Sequence, residues 1–219
     1  MSESGKPILY SYFRSSCAFR VRIAMNVKQI AYEIKTINIH PDVNAQLDDS
    51  YLALNPQARV PLFIDGNLKI TQSTAIIEYL EERYPGPPLL PESATERALA
   101  RQIVNTIACD IQPLNNISVL QKLGKLELPQ TAISNWYEHW ISKGFTALEA
   151  QLNGQNKTGD FCIANQFGMA DVYLIPQVWN AHRFKVDLQG YPRIQEIYER
   201  GMQIPAVLAA TPEKQPDAI

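Results

Sequence analysis

Apolar and polar positions alternate over residues 7–13, with Ile8, Tyr10 and Tyr12 on one side and Leu9, Ser11 and Phe13 on the other. That alternation predicts a β-strand. The period then changes. From about Cys17 to Lys28, the row Val21, Ala24, Met25 and Lys28 falls at i, i+3, i+4 and i+7, a mostly apolar helical stripe. Residues 32–39, rich in Ile, Tyr and Thr, predict a second strand. Strand, helix and strand within about 30 residues have the length of a βαβ unit with a parallel pair.

Residues 40–51 are polar and leave room for a short helix or a loop. Residues 60–70 place Asp65-Gly66-Asn67 between two apolar runs, a hairpin signal. Helical spacing returns over 72–84 at Ala75, Ile76, Tyr79 and Leu80. The order β-α-β, then β-β-α, is that of a thioredoxin-like domain closing near residue 84. Prolines at 85, 87, 88 and 91 cannot continue a helix, so 85–92 is expected to be a semi-rigid linker. Ser93-Ala-Thr-Glu96 has the form of a capping box. Beyond it only helices are predicted, over about 94–121, 130–152, 169–182 and 192–202, with Pro113 and Pro176 expected to kink the first and third. The expected fold is thus an α/β thioredoxin-like N-terminal domain (1–84), a Pro-rich linker (85–92) and an all-α C-terminal domain (93–219).

Composition narrows the function. The chain has 219 residues, is 46% hydrophobic and 19% charged, and carries a formal net charge of −2. Those values suit a globular protein and give no basic footprint for nucleic acid or anionic membranes. No apolar run approaches the roughly 20 residues of a membrane helix, and the first residues lack the apolar region of a signal peptide, so a cytoplasmic protein is expected. Cys17, Cys109 and Cys162 are odd in number and widely spaced, and suggest neither a disulfide framework nor a zinc site. His40, His139 and His182 show no metal spacing and are taken as structural, so no metal is expected.

Three stretches carry candidate chemistry. Ser15-Ser16-Cys17 stands where a strand end meets a helix N-terminus, a place of unpaired N–H groups and positive dipole that favours an anion such as a thiolate. A serine there can simply cap the helix. Two hydroxyls and a thiol exceed that need, and leave open whether Cys17 is itself the nucleophile or the hydroxyls hold the thiolate of a bound thiol. Val60-Pro61 opens a strand; a proline there can be only a rigid turn, but in a thioredoxin-like fold a cis-proline turns the preceding backbone toward an extended peptide. Gln72-Ser73 opens a helix directly after a strand, which is ordinary capping chemistry or a carboxylate site. Together the three suit a thiol-containing peptide with a free carboxylate. In the helical region Gln112, Asn115, Asn116 and Ser118 gather around Pro113, facing water, a cleft or a subunit contact. Arg14, Arg20, Arg22 and Arg183 are possible carboxylate clamps, although most helix-surface arginines are solvated.

Ser15-Ser-Cys-Ala-Phe-Arg-Val-Arg-Ile-Ala24 closely resembles the Ser-Ser-Cys-x-Trp-Arg-Val-Arg-Ile-Ala signature of zeta-class glutathione transferases, the maleylacetoacetate isomerases. The resemblance runs along nearly the whole chain and includes residues 6–14, 54–56, Val60-Pro61, 76–81, 111–114, 116–119, Ala170-Asp171 and 183–188. It implies the glutathione transferase fold, a homodimer, and glutathione as cofactor. It carries the glutathione site to Ser15, Ser16, Cys17, Val60, Gln72 and Ser73, with Gln46, Gln112, Asn116 and Ser118 as additions. The activity implied is glutathione-dependent cis-trans isomerisation of maleylacetoacetate to fumarylacetoacetate, in tyrosine and phenylalanine catabolism. Ser15 is then the first choice for holding the thiolate, with Ser16 close behind and Cys17 part of the site wall. Arg183, then Arg14 and Arg20, are the candidates for the carboxylate of the dicarboxylic keto acid substrate.

Maleylpyruvate isomerase or a broader transferase on α-halo acids is the rival within enzymes; a fold reused for protein interaction is the rival outside them. Two departures stand out. Phe19 replaces the signature Trp, for which only a packing change is expected. Gly168 replaces a Ser or Thr helix cap, a cost of a few tenths of a kcal/mol, and Asp171 is taken to hold that helix start.

Overall fold

The computed structural model describes residues 5–154 and 159–218. The chain divides into two compact units, one comprising residues up to Pro88 together with those from Ile204 onward, the other Leu89–Gln203.

The first unit contains β1 (Ile8–Ser11), α1 (Ser16–Val27), β2 (Glu33–Thr36), a 3-10 turn at Ala45–Leu47, α2 (Asp49–Leu52), β3 (Leu62–Asp65), β4 (Leu68–Thr71) and α3 (Ser73–Arg83). The sheet order is β2-β1-β3-β4. β1 pairs parallel with β2 (Tyr10 opposite Lys35) and antiparallel with β3 (Tyr10 opposite Leu62), and β3 pairs antiparallel with β4 (Phe63 opposite Ile70). This is the thioredoxin-like arrangement that the order of predicted elements implied. β1 stops at Ser11 rather than running to Phe13, because the carbonyls of Tyr12 and Phe13 turn to the Arg22 guanidinium instead of a neighbouring strand.

Helix α1 departs most from expectation. A single apolar face was predicted, yet every residue from Ala18 through Met25 is buried. Arg20 is 1% exposed and Arg22 0%, so neither is a solvated surface arginine. Phe19 is fully buried with the Arg22 guanidinium 5.3 Å from its ring centre, within the range of a cation–π contact. Lys28, the odd polar member of the stripe, is buried in an ion pair with Glu81 at 2.9 Å. The linker begins against this helix end. Gly86 has φ +139°, and a Cβ there would lie 2.9 Å from the Lys28 carbonyl, so glycine is required by both conformation and space.

The second unit contains α4 (Ala94–Asn105), α5 (Ile117–Lys125), α6 (Gln130–Gly154), α7 (Met169–Arg183) and α8 (Pro192–Gly201). The single helix predicted over 94–121 is broken. After α4 the chain widens into a π-helical turn, Thr106–Ile111, in which Gln112 N–H reaches back to Ile107 O, and then tightens into a 3-10 turn at Pro113–Asn115. Pro113 has no N–H to continue the ladder, so it ends the helix instead of kinking it. Asn116 then caps α5, its Oδ1 accepting from Ser118 N–H at 3.0 Å. α7 runs through Pro176 and is buried from Met169 to Val178.

The start of α7 is held by Asp171, which accepts from Gly168 N–H at 2.9 Å and from Cys162 N–H at 2.8 Å. Burial pushes this carboxyl up to about 6, against the lowering effect of the two N–H donors. Burial and the adjacent carboxylate also raise the Cys162 thiol. Gly168 is more than a tolerable cap. A Cβ there would sit 2.8 Å from the Leu89 carbonyl, which accepts from Met169 N–H at 2.6 Å, so glycine admits a close backbone contact.

Helix α9 (Pro205–Ala210) and the residues after it complete the first unit instead of extending the second, which moves this stretch out of the helical domain in which the sequence reading placed it. α9 packs on α1, where Arg22 Nε donates to Ala210 O and Asn26 Nδ2 to Ala206 O, each at 3.0 Å. Among the described residues no helix is long and apolar enough to cross a membrane.

Candidate functional site

Ser15 has extended backbone (φ −71°, ψ 114°) and caps α1, its Oγ accepting from Ala18 N–H at 3.2 Å. The capping reading of this serine is therefore correct. Its hydroxyl proton, however, is donated to no acceptor among the described residues, and the side chain is partly exposed. The first turn of α1 contains no acidic residue, and the N–H groups that open a helix have no intrahelical acceptor. Ser15 thus presents a fixed oxygen with a proton to give at the positive end of a helix. Ser16 is 7% exposed, and Cys17 is a partly buried free thiol.

Arg20 connects this turn to a second helix start. Its Nη1 lies 3.8 Å from Cys17 Sγ and 3.4 Å from the Oγ of Ser73, the first residue of α3. At 1% exposure the guanidinium is enclosed behind both helix starts, which withdraws it from the role of an outward carboxylate clamp. Ser73 is itself buried.

The residue before it, Gln72, has φ +70° and ψ 117°, outside the regions that a residue with a Cβ favours. Backbone strain of this kind costs on the order of 1–3 kcal/mol and gathers where a site needs a particular backbone direction. The Gln72 amide is exposed and donates to Gln57 Oε1 at 3.0 Å.

Val60 is joined to Pro61 by a cis peptide bond and is 7% exposed. It precedes β3, which begins at Leu62, so its backbone stands outside the ladder. Val60 shares a core cluster with Tyr12, Phe13, Tyr51 and Leu62. The strand end before Ser15 and the strand start at Val60 are thereby packed together. Gln46 lies in the 3-10 turn; its Nε2 donates to Asn44 Oδ1 at 3.1 Å, and its Oε1 is buried without a partner among the described residues.

The structure so brings together Ser15, Ser16, Cys17, Arg20 and Ser73, with Val60 on the cluster beneath. Arg14 is partly buried, its guanidinium 4.7 Å from the Phe13 ring centre.

The other predicted residues belong to the second unit. Gln112 is partly buried at the end of the π turn. Asn116 and Ser118 are engaged with each other, Ser118 Oγ donating to Asn116 Oδ1 at 2.8 Å, so capping accounts for both. Asn115 donates to Tyr137 O at 3.4 Å. Arg183 ends α7 and is exposed, its guanidinium 5.0 Å from the Phe184 ring centre, while Phe184 stacks on Tyr137 at 3.9 Å. Among the described residues no group of three or more His, Cys, Asp or Glu is placed to hold a metal ion.

Sequence reasoning missed that Arg20 and Arg22 lie under the Ser15 turn. The signal was present: both stand within the otherwise apolar run Ala18–Met25, and a helix apolar on all sides is buried on all sides.

Residues 9–88 match the model of the glutathione S-transferase N-terminal domain, and residues 134–200 that of the C-terminal domain. A maleylacetoacetate isomerase of Mus musculus is 47% identical over 216 residues, covering 98% of this chain and 96% of its own. Among solved structures, a holo bacterial maleyl pyruvate isomerase, described as a zeta-class glutathione S-transferase, superposes with a TM-score of 0.93 at 40% identity, covering 97% of this chain and all of its own. A maleylacetoacetate isomerase of Methylobacterium extorquens AM1 with bound malonate and glutathione gives a TM-score of 0.93 at 37% identity, covering 97% of this chain and 99% of its own.

Proposed function

Because the chain belongs to the glutathione S-transferase family, in the zeta class with the maleylacetoacetate isomerases, we propose that it is a glutathione-dependent isomerase that converts maleylacetoacetate to fumarylacetoacetate. The observation that carries this reading is the Ser15 hydroxyl, fixed by Ala18 N–H, with its proton uncommitted, at the start of α1.

The residues of the first unit fit the cofactor. Ser15 Oγ donates a hydrogen bond to a thiolate, with Ser16 and the first N–H groups of α1 beside it. Val60 offers main-chain groups outside the ladder to an extended peptide. Gln72 and Ser73, at the start of α3, receive a carboxylate, and Arg20 holds Ser73 in place from behind. Gln46, Gln112, Asn116 and Ser118 are secondary contacts on this reading.

Bound in this way, glutathione supplies a thiolate that adds reversibly to the cis double bond of a maleyl substrate and departs once the bond has rotated, so it is returned unchanged. The task of the protein is to keep that sulfur charged. A free thiol with a pKa near 8.5 is only a few per cent thiolate at neutral pH. Each pKa unit of depression from Ser15 and the helix start corresponds to about 1.4 kcal/mol. The N–H groups that hold charge at the sulfur need no reorganisation as the reaction proceeds.

Cys17 belongs to the wall. Its sulfur accepts from Arg20 Nη1 at 3.8 Å. Cys17→Ala is expected to lower kcat by less than about tenfold, 1.4 kcal/mol in the barrier. Complete loss in steady-state assays would reverse the roles of Ser15 and Cys17.

Arg183, exposed at the end of α7, is the proposed partner of the substrate carboxylate, and the dicarboxylate malonate in the Methylobacterium relative supports a carboxylate-binding function. Arg183→Ala should raise the substrate KM by roughly 10- to 100-fold, the worth of a charge-assisted contact. The glutathione Kd should stay within about twofold. The reverse pattern would place Arg183 on the cofactor.

We further propose that the protein works as a homodimer in the cytoplasm. A second reading, maleylpyruvate isomerase, is favoured by the 0.93 superposition on the zeta-class enzyme of that name. Parallel kcat/KM measurements on maleylacetoacetate and maleylpyruvate decide between them. Preference for the second substrate would overturn the first reading, and activity on neither would leave the fold to a binding role, which retention on glutathione resin would test.

A further inference from the structure

The turn that presents Ser15 is held by residues nearly two hundred positions away. Four backbone groups between Tyr12 and Ser15 take part in its shape. Ser15 N–H donates to Tyr12 O at 3.0 Å, closing the turn. The Tyr12 and Phe13 carbonyls accept from Arg22 Nη1 and Nη2 at 3.4 and 3.1 Å, and Phe13 N–H donates to Asp217 Oδ2 at 3.0 Å.

Arg22 is in turn tied to the closing segment. Its Nε donates to Ala210 O, the last carbonyl of α9. Burial lowers the Arg22 guanidinium to about 10, with the charges of Asp217 and Glu213 acting to raise it again. Past Ala210 the chain is fixed by Gln215, buried, whose Nε2 donates to Ala209 O and Thr211 O at 3.1 and 2.9 Å. Ala218 then packs on the cluster of Tyr12, Phe13, Tyr51, Val60 and Leu62, which holds both the strand end before Ser15 and the residue before the cis-proline.

We propose that the segment Ile204–Ala218 sets the position of the Ser15 turn, with Asp217 as the positioning residue through its hydrogen bond to Phe13 N–H. This rests on the reading of Ser15 as the thiolate-holding residue. Asp217 touches neither cofactor nor substrate; it acts through Arg14, the one residue that separates Phe13 from Ser15. One acceptor oxygen fixes the amide side of the turn and Arg22 its carbonyl side, so the direction of the Ser15 hydroxyl depends on both. The segment is a clasp from the closing part of the chain onto the opening strand.

The test uses the full chain with Asp217→Ala and Asp217→Asn. The first removes the acceptor, while the second keeps an acceptor oxygen without the charge. Three quantities are followed: hydrogen exchange of the Phe13 amide without glutathione, the ultraviolet pH titration of the thiolate of bound glutathione, and thermal unfolding. Asp217→Ala is expected to speed Phe13 exchange by about tenfold and to reduce the thiolate fraction at neutral pH several-fold. Asp217→Asn should restore most of both. Wild-type exchange and titration in Asp217→Ala would overturn the proposal, as would Asn behaving like Ala. A general loss of structure would appear as a lowered Tm with faster exchange throughout the first unit, and that outcome too overturns a positioning role confined to the turn. If the wild-type protein shows no bound thiolate at all, it is the functional reading that fails, while the Phe13 exchange still measures whether Asp217 holds the turn.

Discussion

Replacing Ser15 with alanine is expected to reduce kcat by about 10²–10³-fold, the loss seen when one preorganised donor to a developing or resident anion is removed. The glutathione Kd should change by less than about threefold, because the contacts proposed for the Val60 backbone and for Gln72 and Ser73 remain. Ser15 also caps α1, so alanine removes a cap worth about 1 kcal/mol as well as a proton donor. Gly separates the two roles. Ser15→Gly costs only a few tenths of a kcal/mol as a cap and has no side-chain proton to donate, so it should nearly preserve Tm while remaining as inactive as the alanine variant. Ser15→Thr keeps both oxygen and proton and should recover much of the rate. Full activity in Ser15→Gly would show that the residue is a cap and nothing more.

The second large effect concerns stability and lies in the other unit. Asp171 satisfies the N–H groups of Gly168 and Cys162. Asp171→Ala leaves the buried Cys162 N–H without its acceptor and strips the cap of α7, the most deeply buried helix of the second unit. A cost of about 2–3 kcal/mol follows from unpaired buried donors, or roughly 5–10 °C in Tm for a chain of this size.

The pH dependence carries a distinctive sign. The Asp171 carboxyl titrates at about 6 in the folded protein against an ordinary 3.8, raised by burial. The folded state therefore holds its proton more tightly than the unfolded state does. The stability this group adds is fully present below about pH 4 and is lost as pH rises through about 6. The gap between those values corresponds to about 3 kcal/mol. The advantage of wild type over Asp171→Asn, measured by denaturant unfolding across pH 4–8, should accordingly be largest in acid and shrink toward neutrality. A growing advantage toward neutrality would mean that the two N–H donors, not burial, dominate the carboxyl.

Much of this was legible in the residues, for identifiable reasons. The order of elements in the first unit followed from the changes of period and from the Asp65-Gly66-Asn67 turn, since local chemistry decides a hairpin. The Ser15 turn stood out because serine is a preferred cap where a strand gives way to a helix, and the structure shows Ser15 capping α1.

What escaped was set by distant partners. Nothing local to Asp217 indicates that its acceptor role is played at Phe13. Nor does helical spacing reveal that α1 is covered on the side where α9 packs, although Arg20 and Arg22 inside an apolar run hinted at buried cations. The break after α4 was read as a kink because Pro113 marks a fault in the ladder without saying whether the chain resumes as helix. The hydrogen bonds of Asn116 with Ser118 that cap α5 were not read either, because the residues around Pro113 fit water, a cleft or a subunit contact equally well by composition.

The central claim is that the protein isomerises a maleyl substrate with glutathione as a returned cofactor, and one measurement addresses it directly. Cis-to-trans conversion of maleylacetoacetate is followed at a fixed enzyme concentration while glutathione is varied from none to excess, and free thiol is determined before and after many turnovers. The account predicts no appreciable conversion without glutathione, a rate that saturates as glutathione rises, and a thiol concentration unchanged at the end. Conversion that is independent of glutathione, or that consumes it in proportion to product, would contradict the account.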